Sequence, residues 1–473
     1  MQSDAIESAY ALLERSVMHY RGEPVGTVAA VASGDLAAEN YHDCFVRDFI
    51  PSALVFLADG KPDIVRNFLR TVLQLRSQHQ RIHGHQLEPA VLPASFRVQR
   101  HHHGKKGDGQ RHEQIRADFG DHAIGRVAPV DAMMWWVVLL GIYCRHTGDR
   151  ALAAEQDVQR ALRGVLELSL REGFEVFPTL LVPDGAFMID RRMGVYGHPL
   201  EIQCLFYGML VSAVELLRDT PDVHELIELA DKRASMLRNY LQLFYWLDHE
   251  RLNEIHRYRT EEFGSGSINM LNIYPESIPE WVIDWLPQRG GYLVGNLGPG
   301  RMDFRFFALG NLLAILFDIT SPQEAQTLMR LYQERWDDLV GNMPAKLVFP
   351  AVVAKEWQFM TGSDPKNVAW SYHNGGNWPV LLWPLVAAAM KTGRGDLAQL
   401  ALDVADHALP QDGWPEYYDG RRGNLIGRRA HLNQVWSATG YILGHKLAED
   451  ETLLDLFRIE EGRREPGAGL AAD

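Results

Sequence analysis

Apolar residues recur every three to four positions through about a dozen stretches of the chain, the spacing of helices that bury one face. These stretches cover residues 5–19, 47–58, 61–77, 130–147, 150–171, 198–218, 222–246, 300–319, 322–339, 377–392, 395–408 and 432–447. Strand-like alternation is short and sparse, best seen in KLVFPAVV and LVPDGAFMID. The pattern predicts an all-α protein whose strands only decorate its connections.

The longest connections, residues 83–129 and 253–299, are rich in glycine, proline and aromatic residues. Loops of this length in a compact domain are usually functional. A dozen paired helices with polar motifs in the connections predict an (α/α)6 barrel, a ring of helical hairpins with long loops on its active-site face. No clean repeat is present, so an open solenoid is the alternative. We expect one catalytic domain over residues 1–457 and a disordered polar tail over 458–473.

The charge balance and the cysteines narrow the class of partner. Forty-seven Lys and Arg residues against 61 Asp and Glu give a net charge of −14, which disfavours nucleic acid and anionic membranes and fits a small neutral ligand. Cys44, Cys144 and Cys204 have neither disulfide-framework nor zinc-site spacing. The acidic amino terminus does not resemble a secretion signal, and no run of ~18 apolar residues is present. We expect a cytoplasmic protein.

Several loops combine carboxylates, amides and aromatic rings, the groups that bind sugar hydroxyls and the apolar faces of pyranoses. The sequence blocks are NYHDCFVRDF, RADFGDHAIGR, MIDRRMGVYGHPLEIQ, GPGRMDFRFFALGN, WSYHNGGNWP and DGWPEYYDG. Twelve tryptophans and 16 tyrosines supply the rings. Composition alone predicts a carbohydrate cleft of unspecified activity.

From about residue 38 to about residue 447 the chain closely resembles the neutral/alkaline invertases of glycoside hydrolase family 100. The segments that carry the resemblance are, in order, LPASFRV, ADFGDHAIGRVAPVD, MIDRRMGVYGHPLEIQ, NIYPESIPEWVIDWLPQRGGYLVGNLGPGRMDFRFFALGN, WSYHNGGNWPVLLWPLVAA and GWPEYYDGRRGNLIGRRAHLNQVWSATGYI. The resemblance implies an (α/α)6 barrel that hydrolyses sucrose to glucose and fructose, with inversion, the glucosyl unit at the cleavage subsite, and no metal or cofactor. It implies that Asp190 of MIDRRMG is the acid and Glu416 of WPEYYDG is the base. It also allows a homo-oligomer, although no heptad run identifies an interface.

Glycoside hydrolysis independently requires one protonated carboxyl and one carboxylate, roughly 6.5 to 9.5 Å apart in an inverting enzyme. Asp190 and Glu416 stand on loops near helix ends and can meet that demand across a ring. The competing interpretation of Asp190 is a salt bridge with Arg191 or Arg192, or a helix cap. Glu416 taken alone could be an ordinary loop carboxylate.

The same blocks supply the predicted substrate-binding residues, which are Arg47, Asp48, Asp118, Gln203, Asp303, His373, Trp378 and Tyr417. Helix capping competes for Asp48 and Asp303, and core packing competes for Gln203 and His373. Asp118, with Asp121 and His122, suggests a metal site, but their spacing matches no defined ligand set, so we predict none. The histidine-rich residues 99–113 are expected to form a mobile loop.

Three other functions are compatible with these residues. One is an α-glucosidase of the same barrel type acting on another small glucoside. The second is a sugar epimerase or polysaccharide lyase in which a base such as His373 carries the chemistry. The third is a non-catalytic sugar-binding protein. A comparison of sugar substrates separates the first, and tolerance of Glu416→Gln separates the second.

Overall fold

Twelve helices form the body of the part of the chain that the structure describes. The computed structural model describes residues 2–31, 39–78, 81–82, 85–102, 111–120, 129–171, 175–182, 187–189, 191–260, 275–298 and 301–459. The twelve helices, in chain order, are α1 (Gln2–Ser16), α2 (Val46–Ala58), α3 (Pro62–Gln74), α4 (Ala132–Thr147), α5 (Gln156–Ser169), α6 (Leu200–Leu216), α7 (His224–Phe244), α8 (Ala308–Leu316), α9 (Pro322–Glu334), α10 (Leu382–Lys391), α11 (Gly395–Ala408) and α12 (Val435–Glu449). Each overlaps a stretch predicted from the apolar spacing.

Further helical segments lie in the connections and near the end of the described chain. The α-helical ones are Arg150–Ala154, His249–Thr260, Glu280–Trp285, Trp336–Leu339 and Ala354–Thr361. The 3₁₀ turns are Glu39–His42, Arg191–Met193, Pro275–Ser277, Pro365–Asn367, Pro379–Leu381 and Glu451–Phe457.

The even-numbered helices are buried on nearly every side, because their sequences are apolar all round, as in AMMWWVVLLGIYC of α4. Helix α2 packs on α4, α4 on α6, α6 on α8, α8 on α10, α10 on α12, and α12 packs back on α2. Most odd-numbered helices cover this inner set from outside: α1 lies on α12, α3 on α2, α5 and α7 on α6, and α11 on α10. The buried apolar side chains form one core from Ala5 to Ile459.

A backbone strap joins the two ends of the described chain. Ala30 forms an antiparallel bridge with Gln434, and the N–H of Val435 donates to the carbonyl of Ala29 at 2.9 Å. Val435 is the first residue of α12, so the strap holds the start of α12 beside the segment that leads into α2.

Strands are more extensive than the sequence pattern predicted. A five-stranded sheet consists of Trp246–Asp248, His198–Pro199, Gly291–Gly298, Arg301–Phe307 and Val348–Phe349, and a three-stranded sheet consists of Cys44–Phe45, Ser95–His102 and Arg111–Asp118. Four two-stranded pairs are Val17–Tyr20 with Glu23–Thr27, Arg81–Ile82 with His85–Gln86, Glu175–Val176 with Thr179–Leu180, and Tyr418–Asp419 with Leu425–Ile426.

Two expectations need correction. Residues 301–307 form a strand and not the start of a helix, and α8 begins at Ala308. The histidine-rich insertion, expected to be a mobile loop, is in part a regular antiparallel ribbon, because Ser95–His102 pairs in register with Arg111–Asp118. Residues 103–110 lie outside the described residues. Every helix in the described ranges is too short or too polar to cross a lipid bilayer.

Candidate active site

Three inner helices bring carboxyl groups together at their amino-terminal ends. Asp48 stands in the first turn of α2, Asp131 is the residue before α4, and Glu201 is the second residue of α6. The positive end of a helix dipole favours a negative charge, which is one reason for acids at these positions. Asp131 and Glu201 are buried and the side chain of Asp48 is only 14% exposed, so the three acids interact mainly with protein groups.

One arginine, Arg47, lies within ion-pair distance of two of these acids. The Nη1 atom of Arg47 lies 2.6 Å from Oδ2 of Asp131, and its Nε lies 3.9 Å from Oδ1 of Asp48. Burial raises the pKa of Asp48 to about 7; Arg47 opposes this shift, while Glu416 and Asp131 reinforce it. The site therefore contains an acid that is partly protonated near neutral pH.

The pKa of Glu201 is raised as well. Burial, reinforced by the charge of Asp131, raises its pKa to about 8, although Arg47 and the backbone N–H of Met188 favour the ionised form. That N–H donates to Oε1 of Glu201 at 3.1 Å. Met188 stands two residues before Asp190, so Glu201 anchors the segment that leads to the predicted acid.

Glu416 lies beside these acids on the loop that precedes α12. Its side chain is buried, and Oε1 accepts a 2.9 Å hydrogen bond from the hydroxyl of Tyr41. Nζ of Lys366 lies 3.8 Å from Oε2, which accepts no hydrogen bond within the described part of the chain. Glu416 is thus a carboxylate with one oxygen fixed and the other next to a cation.

The phenol that holds Glu416 is itself fixed by stacking. The ring of Tyr41 lies 3.6 Å from that of His431, centroid to centroid, and the backbone N–H of Glu416 donates to the carbonyl of His431 at 2.8 Å. Burial and the charge of Glu416 raise the pKa of Tyr41 far above its usual value, so its hydroxyl remains a donor. Burial lowers the pKa of His431, which favours a neutral imidazole.

The loop of Glu416 is paired with the SYHNGGNWP segment. Asn377 and Tyr418 exchange both backbone hydrogen bonds, and the amide of Asn377 donates to the carbonyls of Val340 and Met343. Gly376 is required at this turn, because a Cβ atom there would lie 2.6 Å from the carbonyl oxygen of Tyr372. The Asn377–Tyr418 pairing therefore fixes the backbone two residues after Glu416.

Trp378, Tyr417 and His373 form an aromatic stack with Tyr372 beneath this loop. Trp378 lies 5.3 Å from Tyr417 and 5.0 Å from His373 between ring centroids, and His373 lies 3.9 Å from Tyr372. The indole N–H of Trp378 donates to the carbonyl of Tyr372, and the hydroxyl of Tyr417 donates to the carbonyl of Arg428. These predicted substrate-binding residues are buried, and their contacts are with the loop that carries Glu416 and with one another.

Gln203 is buried in α6 with its amide fully engaged. Its Oε1 accepts from the N–H of Leu180 and its Nε2 donates to the carbonyl of Leu180, both at 2.9 Å. These contacts hold the strand Thr179–Leu180 against α6. Gln203 thus lies on the same inner helix as Glu201, but its side-chain amide is hydrogen-bonded to the backbone of Leu180.

Asp303 and Arg305 form a local ion pair in the five-stranded sheet. Oδ1 of Asp303 accepts from Nε of Arg305 at 2.9 Å, and Asp303 pairs in register with Asn296 on the neighbouring strand. Nδ2 of Asn296 donates to the carbonyl of Tyr196, in the segment that follows Met193. The pair therefore borders the segment between the predicted acid and α6.

Asp118 ends the three-stranded sheet, and its Oδ1 accepts from the N–H of Gly120 at 2.8 Å. Its companions Asp121 and His122 lie outside the described residues. Within the described ranges, no group of three or more His, Cys, Asp or Glu residues is arranged to hold a metal ion.

Asp190 also lies outside the described residues, but both of its flanks are placed. Met188 bonds to Glu201 on one side. On the other, Nη1 of Arg192 lies 3.3 Å from Oδ2 of Asp364, and its guanidinium lies 5.8 Å from the ring centroid of Tyr372. The chain before Asp190 therefore contacts Glu201, and the chain after it contacts Asp364 and Tyr372.

Sequence reasoning did not select Tyr41, Asp131, Glu201 or Lys366. Tyr41 and Glu201 stand inside the quoted blocks, six residues before Arg47 and two before Gln203, and a carboxylate in the first turn of an apolar helix was a usable signal for Glu201. Lys366 carries no local signal, because its contact with Glu416 joins residues 50 positions apart.

Comparison with known proteins adds independent findings. A family model described as "alkaline and neutral invertase", glycoside hydrolase family 100, matches residues 9–451. The chain is 48% identical to "Probable alkaline/neutral invertase D" of Arabidopsis thaliana over 97% of this chain and 85% of that protein. It is 46% identical to "Cytosolic invertase 1" of Oryza sativa subsp. japonica over 97% and 80%.

Solved structures with a similar fold are distant in sequence. A bacterial glucoamylase complexed with acarbose superposes with a TM-score of 0.57 at 11% identity, covering 96% of this chain and 57% of that chain. A wild-type glycosidase gives a TM-score of 0.54 at 14% identity and covers 96% of both chains. These similarities concern the fold alone.

Proposed function

Because the chain belongs to the alkaline and neutral invertase family of glycoside hydrolases, we propose that it hydrolyses sucrose to glucose and fructose. The observation that carries the proposal is the environment of Glu416. This buried carboxylate is held through one oxygen by Tyr41 and lies beside Asp48 at the amino-terminal ends of the inner helices. It also stands in the WPEYYDG block that carries the resemblance to the family.

In the proposed mechanism Glu416 is the general base. The hydroxyl of Tyr41 occupies Oε1, so Oε2 is the oxygen that takes a proton from the attacking water. Water adds to the anomeric carbon of the glucosyl unit while Asp190 donates a proton to the glycosidic oxygen, and fructose leaves. Attack opposite the leaving group inverts the anomeric centre.

The glucosyl unit is proposed to bind over the amino-terminal ends of α2, α4 and α6. Arg47 and Asp48 offer a donor and a partly protonated carboxyl to sugar hydroxyls, and the pKa of Asp48, raised by burial to about 7, lets it donate as well as accept. Asp118 and Asp303 are proposed hydroxyl contacts from the two sheets. Gln203, His373, Trp378 and Tyr417 are proposed to act mainly by fixing the walls, since their contacts are with protein.

The architecture belongs to the same proposal. The cyclic packing of the even-numbered helices, with odd-numbered helices outside, supports an (α/α)6 barrel in one catalytic domain over residues 1–457. The tail 458–473 lies largely outside the described residues. A homo-oligomer is supported by exposed apolar side chains such as Phe359, which is 85% exposed, and light scattering measures the mass.

We propose a cytoplasmic location and a reaction without a cofactor. The name of the rice relative supports the first. The second is supported by the chemistry, because an acid and a base are sufficient to hydrolyse a glycosidic bond. Other relatives are named mitochondrial or chloroplastic, so fractionation of the native host is the appropriate measurement of location.

Product stereochemistry tests the reaction directly. Sucrose contains an α-glucosyl unit, so proton NMR during hydrolysis should detect β-glucose first, and hydrolysis in ¹⁸O water should label glucose and not fructose. First-formed α-glucose would mean retention, and labelled fructose would place attack on the other ring. Parallel assays with trehalose, maltose and raffinose identify an α-glucosidase if maltose turns over faster than sucrose.

A further inference from the structure

We propose that Lys366 is a positioning residue of this reaction, whose ammonium group favours the ionised form of the base Glu416. The inference rests on the proposed function, because it assigns a role to a neighbour of the proposed base. Lys366 stands outside the motif residues selected from sequence, and the structure alone brings it to the site.

The position of Lys366 fits a cation fixed for Glu416. Its Nζ lies 3.8 Å from Oε2 of Glu416, 3.8 Å from the ring centroid of Tyr372 and 5.5 Å from that of Tyr417. A cation over aromatic faces is attracted by their quadrupoles, so the two rings hold the ammonium beside the carboxylate. Among the described residues, Lys366 is the cation within ion-pair distance of Glu416.

The backbone that carries Lys366 is fixed as well. Asp364 caps the turn Pro365–Asn367, accepting from the N–H of Lys366 and from Nδ2 of Asn367, each at 2.9 Å. The same carboxylate lies 3.3 Å from Arg192, two residues after Asp190. The turn therefore touches the segment of the proposed acid on one side and the proposed base on the other.

The other groups around Glu416 explain why a cation is needed. Asp48 repels its charge, and the hydroxyl of Tyr41 supplies one hydrogen bond. His431 is favoured in its neutral form because burial lowers its pKa, and burial raises the pKa of the phenol of Tyr417. A buried acid that faces another acid is stabilised by a neighbouring cation, and Lys366 supplies that positive charge beside Oε2 of Glu416.

The test is the pH dependence of kcat/KM for sucrose, whose acidic limb reports titration of the base in the free enzyme. Lys366→Met should move the midpoint of that limb to higher pH by about one unit, the scale of an ion-pair effect on a carboxyl group. Lys366→Arg should return the midpoint towards the wild-type value. Lys391→Met is the matched control, because it removes a lysine that pairs with Asp318 at the end of α10, and it should leave the profile unchanged.

A folded Lys366→Met protein whose acidic limb stays within about 0.2 pH units of wild type overturns the proposal. Equal losses of kcat in the Met and Arg variants with no movement of the limb would show a merely structural role and also overturn it. Lys366→Gln gives the same charge test if the Met variant does not fold. Failure of the proposed function is a separate result, since wild-type protein would then not hydrolyse sucrose.

Discussion

The two ends of the inner helices treat buried charge differently. At the carboxy-terminal ends, Asp59 pairs with Lys446 at 2.6 Å and Glu215 pairs with Arg145 at 2.6 Å. Both of these carboxylates have a close cation, and the four side chains keep 15 to 29% of their surface exposed. Cations are favoured at the carboxy-terminal ends of helices, so a structural role is sufficient to explain these pairs.

At the amino-terminal ends, the buried acids outnumber the cation beside them. Asp48, Asp131 and Glu201 share Arg47, and burial raises the pKa of Asp48 to about 7 and that of Glu201 to about 8. Collecting more buried acid than cation costs stability. Perturbed carboxyl groups concentrate at functional sites, so the contrast supports the proposal that the chemistry takes place at the amino-terminal ends.

The sharpest way to break the comparison is to neutralise one glutamate at each end. Glu416→Gln removes the proposed base and should lower kcat for sucrose by about 10³-fold, within the range for loss of general base catalysis. Glu215→Gln removes a partly exposed ion-pair partner and should leave kcat within about twofold while lowering stability by about 1 kcal/mol. Steady-state kinetics and urea unfolding measure both. If the Glu416→Gln protein retains a tenth of wild-type turnover, the contrast has no catalytic meaning.

Removing one aspartate at each end compares their contributions to stability. Asp131→Asn removes a carboxylate that is only 3% exposed and leaves Arg47 without its close partner, so it should lower the free energy of unfolding by about 3 kcal/mol. Asp59→Asn should lower it by about 1 kcal/mol, because Lys446 is 27% exposed and can turn towards water. Denaturant unfolding gives both values. Equal costs would show that burial does not distinguish the two ends.

The pH dependence of stability provides a subtler contrast. The pKa of Glu201 is raised from 4.5 to about 8, so the folded protein keeps a proton that the unfolded chain loses. Its contribution to stability is complete below pH 4.5 and is lost as pH rises through about 8. Glu201→Gln cannot titrate, so the stability of the variant relative to wild type should increase by about 4 kcal/mol between about pH 5 and pH 9.

Urea unfolding of both proteins across this range measures that difference. Asp48 is present in both, so its own titration cancels to a first approximation. A difference that stays flat with pH would mean that Glu201 is ionised in the folded protein at neutral pH, and the amino-terminal ends would then be less distinctive than proposed.

The sequence predicted the helical body well, because burial on one face or all round determines the apolar spacing of each helix. The error at residues 301–307 has a physical cause. Met302, Phe304 and Phe306 alternate with Arg301, Asp303 and Arg305, the pattern of a strand, but they run directly into the apolar helix α8. An apolar window that spans both elements therefore resembled one helix.

The site could be predicted only as far as local blocks allow. Glu416 was selected from its block, but its contacts with Tyr41 and Lys366 join residues 375 and 50 positions apart, and no spacing rule predicts such contacts. The aromatic residues illustrate a second limit. A ring that stacks on a sugar and a ring that stacks in a core have the same side chain, so the sequence gives no indication that Trp378 and Tyr417 stack on each other in the core next to the loop of Glu416.

The strap between Ala29 and Val435 has a consequence for biosynthesis. Tyr41 comes from the first tenth of the chain and Glu416 from the last eighth, and they are brought together where α12 meets α2. A ribosome-bound chain that lacks α12 has the acids of α2, α4 and α6 but lacks the helix that holds the proposed base Glu416 near Tyr41. Catalytic competence should therefore arise in one step, late in synthesis, and chains interrupted before α12 should be inactive.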